Sequence, residues 1–89
     1  MPYIKQEDRD KLDGCIDKLM QQLGAEFLTG QVDGALNYII TKLLLELYTP
    51  SYFNYNRAIG VLECVKQEYY RKVVAKYEEL KEFENGAIE

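Results

Sequence analysis

Arg57 to Glu84 reads RAIGVLECVKQEYYRKVVAKYEELKEFE, and this stretch decides the fold class. Ile59, Leu62, Val65, Tyr69, Val73, Tyr77 and Leu80 follow one another at steps of three or four residues. That is the repeat of one face of an α-helix. Lysine, arginine, glutamate and glutamine fill most positions between them. The spacing predicts one long helix from about Arg57 to Glu84. Asn85-Gly86 behind it suits a C-cap, because glycine adopts the left-handed conformation at little cost. At 1.5 Å per residue such a helix is about 40 Å long.

Working back along the chain, Ser51 to Tyr55 (SYFNY) reads as an aromatic turn, with Asn54 or Asn56 to cap the long helix. Thr49-Pro50 ends the element before it, since a residue preceding proline is pushed out of the α region. That element runs from about Gly34 to Tyr48, with Asp33 as N-cap. Leu36, Ile39, Ile40, Leu43, Leu44 and Leu47 give it a wide apolar face, so it is expected to be the most buried helix. A first helix is predicted from about Asp8 to Leu23, with Leu12, Ile16, Leu19 and Leu23 on one face and Glu7, Asp8 and Asp10 at its positive end. Gly14 within it suggests a point of close packing. Gly24 and Gly30 then mark a loop or a fraying helix end, and Phe27 and Leu28 are free to plug the core. The expectation is all-α: a compact bundle of three main helices with a long C-terminal helix, in a single domain over residues 1–89. The first two helices, at about 25 Å, are too short to cover the third. Val73, Val74, Tyr77 and Leu80 are then the residues left needing a partner.

Composition narrows the functional classes. The 89 residues carry 11 basic and 15 acidic side chains, a net charge of −4, and no histidine. An acidic chain lacks the basic surface that nucleic acid demands, and it is repelled by anionic membranes. Absence of histidine removes the commonest general base and metal ligand near neutral pH. No charged n-region leads an apolar stretch, so no secretory signal is expected. The most apolar run, Ile39 to Tyr48, is too short for a membrane span. Cys15 and Cys64 read as two buried, reduced thiols, and the expected location is the cytoplasm.

Three features bear on chemistry. Glu78, Glu79 and Glu82 form an E-E-x-x-E string, resembling the first metal motif of the all-α nucleotide pyrophosphohydrolases. Carboxylates on one helix face can hold Mg²⁺, but only seven residues follow Glu82, and that family needs a later E-x-x-D. Surface charge is the preferred account, and no catalytic, cofactor-binding or metal residue is assigned. Glu63 lies amid Val61, Leu62, Cys64 and Val65, so partial burial is expected, with its pKa raised unless it is paired. Asn37, Tyr38, Tyr52, Asn56, Glu63, Glu68 and Arg71 make a candidate polar cluster, read as a clamp between helices. Eight tyrosines suit core edges and interfaces, and an exposed Tyr52-Phe53-Tyr55 group would be a binding surface.

Several strings carry a resemblance. They are Gly34 to Thr41, Ser51-Tyr52, Tyr55 to Lys66, Tyr70 to Val74, Tyr77-Glu78, Lys81, Glu84-Asn85-Gly86 and the opening Tyr3-Ile4-Lys5-Gln6. Together they resemble a family of small uncharacterised helical proteins of prokaryotes and phages, and they span almost the whole length, so the resemblance implies an entire protein. Family members usually have Arg-Arg at Arg71-Lys72, Ala-Pro at Ala75-Lys76 and an aspartate at Ala87. The resemblance implies no activity; it points to Asn37, Tyr38, Tyr52, Asn56, Gly60, Glu63, Glu68, Arg71 and Tyr77, with Gly60 allowing a close approach. Function thus stays unknown. The leading expectation is a structural or protein-interaction module, a homodimer joined through its C-terminal helix, using no cofactor. The alternative is a small-ligand or Mg-nucleotide protein built on helix carboxylates.

Overall fold

A computed structural model describes residues 4–88. Tyr3, quoted for the resemblance, and Glu89 of the tail lie outside the described residues. Of the described chain, 86% is helical and none is strand, in three helices of which the last is the long one. The chain divides into two compact units, Met1–Thr49 and Pro50–Glu89.

The first unit is a helical hairpin. Helix α1 spans Gln6–Leu28, with Glu7 and Asp8 in its first turn against the positive end of the dipole. It runs straight through Gly24, where a loop was expected, and the reason is found six residues further on. Gly30 takes φ 76°. The Gly30 amide donates to the Phe27 carbonyl at 3.1 Å and the Gln31 amide to the Glu26 carbonyl at 2.9 Å. This pair of bonds is a Schellman motif, which satisfies the last carbonyls and reverses the chain. Gly24 has no such partner bonds, so it costs the helix about 1 kcal/mol without ending it. Phe27 and Leu28 belong to the last turn and are exposed, not plugs in a core.

Helix α2 spans Val32–Leu47 and packs on α1. Its N-cap is Gln31, with no side-chain cap bond, and Asp33 lies inside the first turn. Tyr48 is already extended, at φ −117° and ψ 115°, ahead of Thr49-Pro50. No residue of α2 is fully buried, contrary to expectation. A two-helix hairpin covers only the facing side of each member, so Ala35, Ile39 and Leu44 are half-buried while Leu36, Leu43 and Leu47 are exposed. A Cβ at Gly14 would meet nothing within 4 Å, so no close packing occurs there.

The second unit is the long helix. Helix α3 covers Tyr52–Tyr69, a π turn covers Tyr70–Val74 and helix α4 covers Ala75–Asn85, without interruption over 34 residues. That is about 51 Å, longer than the spacing predicted. The extra length lies at the N-terminus, where the aromatic turn is in fact the first helical turn. Ser51 is the cap: its Oγ accepts from the Asn54 amide at 3.0 Å. Neither Asn54 nor Asn56 caps, because a serine three residues before Asn54 meets the orphan amide first. At the other end the Gly86 amide donates to the Glu82 carbonyl at 2.8 Å with φ 89°, as the Asn85-Gly86 pair predicts.

Candidate functional site

The apolar stripe of the long helix is the most distinctive surface of the second unit. Val73, Tyr77 and Leu80 are 49%, 59% and 52% exposed, and Val74 is half-buried. Val65 and Tyr69 extend the stripe toward the N-terminus and are exposed as well. The π turn determines how straight this stripe is. In an α-helix a step of four residues overshoots a full turn by about 40° and a step of three falls short by about 60°. A stripe stays straight only where fours and threes alternate. Val65, Tyr69, Val73 and Tyr77 are separated by three fours in succession, which would carry the stripe about 120° around an α-helix. Across Tyr70–Val74 the bonds run i→i+5, with the Ala75 amide donating to the Tyr70 carbonyl. Such a turn holds one more residue than an α turn, so the surplus is absorbed and the four side chains remain in line. Sequence spacing found the stripe, but each single step fits an α-helix; only the run of fours signals the π turn.

The candidate polar residues fall in both units. Asn37 and Tyr38 are exposed on α2; Tyr52, Asn56, Glu63 and Glu68 stand on α3, and Arg71 in the π turn. Within the long helix Arg71 is ion-paired to Glu68, one turn back. Glu63 is exposed rather than partly buried, since the helix has no neighbour within its own unit. Gln67 donates to its carboxylate at 3.1 Å and Lys66 lies 3.1 Å away. These hydrogen bonds, Gln67 first and then Lys66, hold the Glu63 pKa below its usual 4.5, the reverse of what burial would do. A Cβ on Gly60 would meet nothing within 4 Å, so its expected close approach is absent.

Two of the carboxylates near the C-terminus, Glu78 and Glu84, are engaged locally. The Tyr70 hydroxyl donates to both Glu78 oxygens, at 3.1 and 3.2 Å, spanning two turns. The hydrogen bond to Glu78, and after it the charge of that carboxylate, raise the Tyr70 pKa above its usual 10.0. Lys81 pairs with Glu84 at 3.1 Å. Among the described residues no group of three or more cysteine, aspartate or glutamate side chains gathers so as to hold a metal ion. Sequence reading did not anticipate the Tyr70–Glu78 bond, because a separation of eight residues is outside the usual i, i+3 and i, i+4 pairings.

Each unit presents one further surface. Tyr52 and Phe53 are 89% and 71% exposed at the start of α3, and the Arg57 guanidinium sits 5.7 Å from the Phe53 ring centre. In the hairpin, Leu19, Leu23, Ala35, Tyr38 and Ile39 line an open groove of about 570 Å³. Among the described residues, Glu26 is the charged side chain lining it. Cys15 is a free thiol exposed on α1, against the expectation of burial, and Cys64 a free thiol half-buried on α3. No described helix is long and apolar enough to cross a membrane.

Fold and surface together define an all-α chain with exposed apolar helix faces and locally paired charges. The chain belongs to the family described as Domain of unknown function (DUF6899), whose model matches residues 1–88. No curated protein and no solved structure matches it. The function is accordingly not established by kinship.

Proposed function

We propose that this chain is a small structural or protein-interaction module, a single domain that self-associates through its long C-terminal helix as a cytoplasmic homodimer. The observation that carries the reading is the stripe from Val65 to Leu80, about half exposed along a helix whose own unit has nothing to cover it. Buried apolar area is worth about 25 cal/mol per Å², so a straight row of tyrosine and aliphatic side chains is a standing incentive to associate. Contiguous exposed apolar patches on small proteins mark such contacts. Isologous dimers are the commonest closed assemblies. The cytoplasmic assignment draws on the acidic balance and the free thiols.

Size-exclusion chromatography with light scattering on wild type and on Val73→Glu/Leu80→Glu tests this. Wild type is expected at twice the chain mass of 10.4 kDa, and the double variant at 10.4 kDa with its helical circular dichroism retained. A single-chain mass for both, at concentrations up to 200 µM (about two hundredfold above a micromolar Kd), defeats the proposal.

A further inference from the structure

We infer that two copies pair antiparallel along the long helix, with the two-fold axis passing beside Val73; this rests on the self-association proposed above. An isologous interface must be self-complementary about its axis, and the stripe is so about Val73. Tyr69 and Tyr77 stand four residues to either side, Val65 eight before and Leu80 seven after. Antiparallel pairing therefore sets Val73 on its own copy at the centre, Tyr69 against Tyr77 on both sides, and Val65 against Leu80 at the ends. The π turn, Tyr70–Val74, contains this point and keeps the five side chains close to one line.

Charge selects the direction. Before the axis, Glu63 and Glu68 stand against Lys66, Arg71 and Lys72, a net of +1 over residues 61–72. Beyond it, Glu78, Glu79, Glu82 and Glu84 stand against Lys76 and Lys81, a net of −2 over residues 74–85. A parallel pair would lay the two acidic ends side by side, whereas an antiparallel pair opposes unlike halves. The helix dipoles favour the same choice. Five half-exposed side chains per copy supply on the order of 1,000 Å² across the pair, the lower bound for a specific interface. That area is enough for a dimer and leaves direction to electrostatics.

Double electron–electron resonance on singly labelled protein decides the arrangement. Lys72→Cys and Glu82→Cys are each placed in a Cys15→Ser/Cys64→Ser background and labelled with a nitroxide. Antiparallel pairing about Val73 separates the two copies of residue 72 by about 3 Å along the helix axis and those of residue 82 by about 27 Å. The expected result is a mean distance at least about 10 Å longer at 82 than at 72. Equal distances at the two sites would mean a parallel pair, overturning this inference while leaving self-association intact. Absence of intermolecular coupling at both, with unlabelled wild type sedimenting as a single chain, removes both.

Discussion

Ser51 supplies the first turn of the long helix with a side-chain acceptor, through the 3.0 Å bond from Asn54. Ser51→Ala is expected to cost about 1 kcal/mol, read as a lower denaturation midpoint, while Asn56→Ala is near neutral. The Tyr70–Glu78 bond gives a second test at this scale. Because the folded pKa of Tyr70 is raised, the bond's contribution is intact below 10.0 and is lost as pH rises through the higher folded value. In a tyrosine absorbance titration one of the eight phenols is expected to lag behind the rest. Tyr70→Phe should abolish the lagging step, and Glu78→Gln should bring it forward. An unchanged profile in both variants would mean the bond does not form. Neither interaction was legible beforehand. Asparagine and serine are equally good caps by type, and only the position of the first helical amide chooses between them.

Elements were more legible than their ends. Periodicity of apolar residues located all three helices, because each buries or offers one face whatever its surroundings. The ends depend on single backbone bonds: Gly30 stops α1 where its Schellman bonds form, whereas Gly24, the same residue type, is passed over. The π turn is the clearest instance of a feature carried by a pattern longer than one helical step. If it exists to absorb the one surplus residue between Val65 and Tyr77, deleting Lys72 restores an alternation of four, three, four, three. The deletion variant is then expected to form an uninterrupted α-helix with slower amide hydrogen exchange across residues 70–75, and to self-associate still. Loss of helix or of association on deletion would assign the π turn another role.

At the scale of the whole molecule, the sequence made the long helix conspicuous through its stripe and left its covering open. Glu63 illustrates the difficulty. Its apolar neighbours in sequence suggested burial, but on a helix alone in its unit those neighbours point elsewhere and the carboxylate meets Lys66 and Gln67. Exposure cannot be read from local composition on a helix that has no packing neighbour within its own unit. The candidate polar residues are likewise spread over α2, α3 and the π turn, and the pair the structure joins within one helix is Glu68 with Arg71. What unifies these observations is an apolar line, straightened by a π turn and flanked by charges of opposite balance in its two halves. Sedimentation equilibrium of the unmodified chain from 5 to 200 µM (a span bracketing the micromolar affinities of small interfaces) tests that account most directly. The account predicts a weight-average mass rising to twice 10.4 kDa, and a constant 10.4 kDa across the series would contradict it.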